Sequence, residues 1–182
     1  MINDILKLIM ERLTEKEPNI RYMDEDWGQL DYYNDNPPVL WPALLLELQG
    51  ANWLNQSQKV QDAPLMIALT VADIKTTNTS MRAPATQKAN AAAIWIVLEN
   101  IHKALHGWKP LRSHFGALSR VSTRRVKRDD GIRQFEVVYS CHCIDDSAEN
   151  QLYNIADPEV ADAQFGTIPP TAHIDIKTTG AD

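Results

Sequence analysis

Between residues 84 and 106 the chain reads PATQKANAAAIWIVLENIHKALH, and Ala91, Ile94, Leu98, Ile101 and Leu105 recur at steps of three and four. That spacing predicts a helix with one apolar face. Pro84 suits its first turn, and Gly107 stands just past its end, where a left-handed cap is common. Trp95, Ile96 and Val97 widen the stripe. A helix apolar over so much of its circumference needs two surfaces to pack against. One is a sheet of its own chain; the other is a second layer or a neighbouring subunit. Residues 2–16 carry Ile2, Ile5, Leu6, Ile9 and Leu13 on one side, which predicts an amphipathic helix ended by Pro18.

The strands have a different period. Residues 39–49, VLWPALLLELQ, are apolar on both parities until Glu47, so both faces of this strand should be covered, with Pro42 at its start or on an edge. A second strand lies in 56–74, clearest over 65–74, where Leu65, Ile67, Leu69 and Val71 alternate with Met66, Ala68 and Ala72. Residues 118–128 and 132–144 read as a strand pair around Asp130-Gly131, a strong hairpin signal. Phe135, Val137, Tyr139, Cys141 and Cys143 share one face of the last strand. The stretch 20–30, IRYMDEDWGQL, is extended and acidic, either a strand or an arm, and 31–38, DYYNDNPP, is dense in turn formers. Residues 75–83 and 108–117 read as loops, and no internal repeat is found.

This order predicts an α+β fold, a mainly antiparallel sheet of four or more strands with the long helix across one face. We divide the chain into a helix and acidic arm (1–38), a core domain (39–146) and an extended or partly disordered tail (147–182). The tail has few aliphatics and one short strand candidate at 172–177.

Composition narrows the function. Of 182 residues, 44% are hydrophobic and 23% charged, as in ordinary globular proteins. The net charge of −6 argues against a protein that wraps nucleic acid. No apolar run is long enough to cross a bilayer, and the first residues lack a small-residue cleavage site, so no signal peptide is expected. Cys141 and Cys143, the only cysteines, imply no disulfide framework, and a cytosolic setting is the default.

Candidate chemistry is thin. His102 and His106 have metal-ligand spacing, but HKALH has no glutamate between them to serve as a base, and half-buried or solvated helix histidines are the plainer reading. In Cys141-His142-Cys143 a strand would point both thiols one way and the imidazole the other, which favours core cysteines over a metal site. The pairs Asp24/Asp26 and Asp129/Asp130 suit solvated surface better than acid–base chemistry. Glycines are scattered and form no phosphate loop, and no serine sits in a nucleophile elbow. We expect no enzyme activity, cofactor or metal.

One charge feature stands out. Arg120, Arg124, Arg125, Lys127, Arg128 and Arg133 fall within one hairpin of an otherwise acidic chain. The hairpin is either an electrostatic contact, to an acidic partner subunit or to nucleic-acid phosphates, or a solvated surface. Asp24, Glu25 and Asp26 offer a complementary surface if copies of the chain meet.

The succession VLWPALLLELQG, WLNQSQKVQDAPLMIALTV, AAAIWIVLENIHKALHGW and LSRVSTRRVKRDDGIRQFEVVYSCHCIDD resembles the tail-terminator, or tail-completion, proteins of long-tailed phages and related prophages. The likeness covers roughly residues 39–146. It lies in a proline-led apolar strand ending in an acid (42–47), a helix ending IHKALHG (101–107) and a strand of the form V-x-Y closing on an acid (137–145). It implies an α+β structural protein without catalytic residues. Such proteins form a ring, commonly of six subunits, that caps the finished tail tube and joins the head. The implied partners are further copies of the chain, the tail-tube protein and a head-completion protein. The implied location is the bacterial host cytoplasm during assembly, then the virion tail. The competing function is a small nucleic-acid-binding protein that uses the basic hairpin, 120–133.

Overall fold

Two helices lie on one face of a six-stranded sheet in the computed structural model, which describes residues 2–32, 39–74, 78–110 and 114–148. The elements are α1 (Ile2–Lys16), β1 (Tyr22–Glu25), a 3-10 turn (Gln29–Tyr32), β2 (Ala43–Ala51), β3 (Leu54–Asn55), β4 (Gln61–Ile74), α2 (Ala85–Leu105), β5 (Ser119–Val126) and β6 (Ile132–Asp145). Strand order is β1-β2-β4-β6-β5, with β3 also paired to β4. All pairings are antiparallel except β1 with β2. The fold is therefore the α+β sheet with a long helix across it that the periods predict.

The alternation of side chains decides what is core. Leu44 and Leu46 of β2, Leu65, Ile67, Leu69 and Val71 of β4, and Phe135, Val137, Tyr139, Cys141 and Cys143 of β6 all face the helices. They meet Ile5, Leu6, Ile9 and Leu13 of α1 and Ile94, Val97, Ile101 and Leu105 of α2. On the other face a smaller cluster, Leu30, Val39, Ala43, Leu45, Ala72 and Ile132, covers one end of the sheet. β2 is thus buried on both faces near its start, as its unbroken apolar run requires.

The helix α1 and the strand β1 both belong to this structure. α1 lies beside α2, where Arg12 Nε donates to Ala104 O at 2.6 Å and the Arg12 guanidinium stacks 4.7 Å from the Trp108 ring centre. Buried Glu17, just past α1, accepts from Asn100 of α2 at 2.6 Å and from Asn19 at 2.7 Å. α2 ends as its sequence suggests: Gly107 adopts φ +77° and donates to Leu118 O at 2.8 Å.

The structure corrects the apolar stripe in one detail. Leu98 is only half-buried, and Val97 takes the fully buried position. α1 shares the burial of α2 with the sheet, which turns the buried face toward Val97 and Ala104. The strand candidate at 172–177 and the rest of the tail from 149 lie outside the described residues.

Candidate functional site

β1 and β5 form the two outer edges of the path, with β2, β4 and β6 between them. At ~4.8 Å per strand the edges are about 19 Å apart. The β1 edge carries Asp24 and Glu25, with Asp26 just beyond; the β5 edge carries Arg120, Arg124 and Arg125, with Lys127 and Arg128 in the turn after it and Arg133 on the inner strand β6.

On the acidic edge, Asp24 accepts from Tyr22 Oη at 3.1 Å and caps the Glu25 N–H at 2.9 Å. Glu25 is exposed, and Asp24 and Asp26 are half-buried. The turn that follows is tightly tied. Asp26 Oδ1 accepts from Gly28 N at 3.0 Å, and Gly28 takes φ +90°. Gln29, only 2% exposed, accepts the Trp27 N–H at 2.9 Å and donates to Glu25 O at 2.7 Å. Trp27 itself stands 63% exposed.

The basic edge divides into two groups. Arg124 grips Glu136 on the neighbouring strand with two hydrogen bonds, 2.8 and 2.7 Å. These bonds hold the Glu136 carboxyl below the usual carboxylate range and raise the Arg124 guanidinium. Arg128 turns back to Asp130 at 2.7 Å and reaches across to Asp31 at 2.9 Å and Leu30 O at 3.2 Å. Its hydrogen bonds likewise depress the Asp130 carboxyl. Arg133 is buried and donates to Ala91 O of α2 at 2.6 Å. Those three cations serve the fold. Arg120, Arg125 and Lys127 are exposed, and none makes an ion pair among the described residues.

β5 is open. Seven of its eight residues are exposed and the last is half-buried, and among the described residues its ladder partner is β6 alone. Such an edge presents unpaired backbone groups to whatever approaches. A bulge between Arg120 and Ser122 leaves Val121 56% exposed. Arg120 N–H donates to His106 Nδ1 at 3.3 Å, which fixes the start of the edge to α2.

The remaining sequence candidates are dispersed. His102 is half-buried and His106 exposed, with ring centres 4.8 Å apart. Burial lowers the His102 pKa, with Arg120 and His106 adding to the effect. Cys141 and Cys143 are buried in the core while His142 points away, and burial pushes each thiol up to about 11. Among the described residues no three His, Cys, Asp or Glu side chains gather as a metal group would require. No described helix is long and apolar enough to cross a membrane. Sequence reasoning missed Trp27 and Gln29, because an exposed Trp and a buried Gln are visible only once the turn is folded.

A family model of the phage tail terminator protein matches residues 3–148. The chain belongs to the phage tail terminator family. The match runs from the second residue of α1 to just past β6. Among solved structures, a chain from the "Virion of native gene transfer agent (GTA) particle" is similar over 77% of this chain and 94% of its own, at 15% identity and a TM-score of 0.45. The curated proteins hold no match. As a tail terminator family member, the chain is a structural protein of phage tails.

Proposed function

We propose that the protein closes into a ring on the end of a phage tail tube, stops its growth and supplies the surface that joins the head. The ring commonly has six copies in the family that the sequence resembles. One observation carries the reading: a single sheet bears acids at one outer edge and, at the other, cations that form no ion pair among the described residues. Within one copy the turn after β1 brings Asp31 to Arg128, while Arg120, Arg125 and Lys127 form no ion pair with Asp24, Glu25 or Asp26 among the described residues. Unlike edges favour head-to-tail contacts, which close into rings when the rotation allows. Arg120, Arg125 and Lys127 on one copy would face Asp24, Glu25 and Asp26 on the next. Arg124, Arg128 and Arg133 would act within the copy.

The proposed partners are further copies, the tail-tube protein and a head-completion protein, met in the host cytoplasm and kept in the virion tail. No catalytic step is assigned to the chain. Internal pairing of three of the six hairpin cations also weighs against phosphate binding, whose strength follows the number of free cations. The test is electron microscopy of particles from a host lacking this gene. Overgrown or headless tails are expected. Tails of normal length joined to heads would refute the reading.

A further inference from the structure

A surface groove runs between the start of α2 and β5. Its volume is about 340 Å³, and Met81, Lys88, Ala91, Trp95, Arg125 and Arg133 line it. That places it at the small end of sites that hold a bound group, ~300–1,000 Å³. Its character is both apolar and cationic, with no acidic residue among its lining. Trp95 rests edge-on against Phe135, ring centres 4.8 Å apart, and still leaves 55% of its surface exposed. Met81 is 85% exposed. Arg125 stands opposite Phe135 in the β5–β6 register, so its side chain rises on the helix side of the sheet beside Trp95.

A group that fits this groove must combine an apolar anchor with negative charge. The chain itself carries such a group on its far edge, where Asp24, Glu25 and Asp26 lead directly into exposed Trp27. The buried Gln29 clamp and the Asp26–Gly28 bond hold that corner in one shape before any partner arrives. A preordered aromatic loses little freedom on docking. Trp and Arg are also the residues that most often anchor interfaces, and an indole over Arg125 gains cation–π attraction.

We infer that residues 24–27 of one copy dock in the α2–β5 groove of the next copy, with Trp27 as the anchor and Glu25, which β1 turns to the opposite face from Asp24, facing Lys88 and Arg125. The inference rests on the ring reading above and names the contact that closes the ring. It also gives a use to the outer face of α2, where Trp95 and Ile96 are exposed.

The test uses the full chain in a host lacking the gene. Glu25→Cys and Arg125→Cys are combined, and purified tails are treated with a short bismaleimide. Cys141 and Cys143 are buried, with thiols held well above neutral pH, so they stay unreactive. The expected result is a ladder of covalent multimers from the double variant and none from either single variant. Tails capped by the double variant but giving no ladder would overturn the inference, as would linkage of Arg125→Cys to the tube protein. If the wild-type chain itself builds no ring, the ring reading fails first and this one falls with it. Trp27→Ala gives a second readout. It should weaken copy-to-copy association by about 30-fold, as loss of a central aromatic anchor does, and leave the thermal midpoint of the single chain unchanged. Unaltered association would also overturn the inference.

Discussion

At the scale of residues, burial sorts the apolar side chains into those that hold the fold and those left for other work. Ile101 is fully buried between α1 and the sheet, whereas Leu98 is half-buried and Trp95 is mostly exposed. Ile101→Ala should therefore cost ~2–5 kcal/mol of unfolding free energy, as deletions in close-packed cores do. Leu98→Ala should cost distinctly less. Urea unfolding of the two variants checks the order, and equal costs would mean that the α2 interface is placed wrongly.

The titrating groups predict an acid-sensitive fold. His102 has a lowered pKa in the folded chain, so the unfolded chain takes up its proton at higher pH. Stability is then lost as pH falls from the ordinary His value of 6.5 toward the folded one. Glu136 and Asp130, depressed by Arg124 and Arg128, add a second loss further down, below 4.5 and 3.8. Asp73 acts oppositely. Burial raises its pKa, so it favours the folded chain as pH falls through that range. The urea midpoint should be lower at about pH 5.5 than at about pH 7.5, and His102→Gln should shrink that difference. An unchanged difference in the variant would remove His102 from the account.

Among the elements, those with a strong local period were legible in sequence. α1, α2 and the long strands β4 and β6 follow from apolar spacing, because each buries one face along most of its length. β1 was readable only as a strand or an arm. Its four residues are too few for a period, and what makes them a strand is parallel pairing with β2, a contact distant in sequence. β3, with two residues, left no signal. β4 begins at Gln61 rather than at Leu65, across Pro64, which interrupts the run as read from sequence. The structure tolerates this proline because β2 pairs with β4 no further than Leu65 and β3 pairs with it only at Gln61 and Asp62, so no strand neighbour meets Pro64 on that side. The hairpin cations were all found in sequence, but which of them are free was not. That division depends on Glu136, Asp130 and Asp31, partners set by register and by the chain crossing from the far edge.

The open strand β5 is also where charge can be altered at small cost to the fold. Arg125→Glu with Lys127→Glu changes two exposed side chains that make no ion pair among the described residues. The single chain should keep its thermal midpoint, since exposed charges add little to stability, while its assembly should fail. A large drop in the midpoint would mean that these cations serve the fold, as Arg124 and Arg128 do.

For the whole molecule, the central claim is that opposite edges of one sheet meet between copies to close a ring at the tail end. Family membership explains why such a chain exists in a phage tail; the charge on the two edges explains how copies would recognise one another. The outer face of α2, with Trp95 and Ile96 exposed, fits a chain that completes its burial only in an assembly. The most direct measurement is tail length by electron microscopy in a host lacking the gene, complemented by three forms of the protein. The first is wild type. The second carries Arg125→Glu and Lys127→Glu. The third adds Asp24→Lys and Glu25→Lys to that pair, which reverses two charges on each edge. The account predicts uniform joined tails from the first, overgrown or headless tails from the second, and recovery in the third. Uniform joined tails from the second form would contradict it.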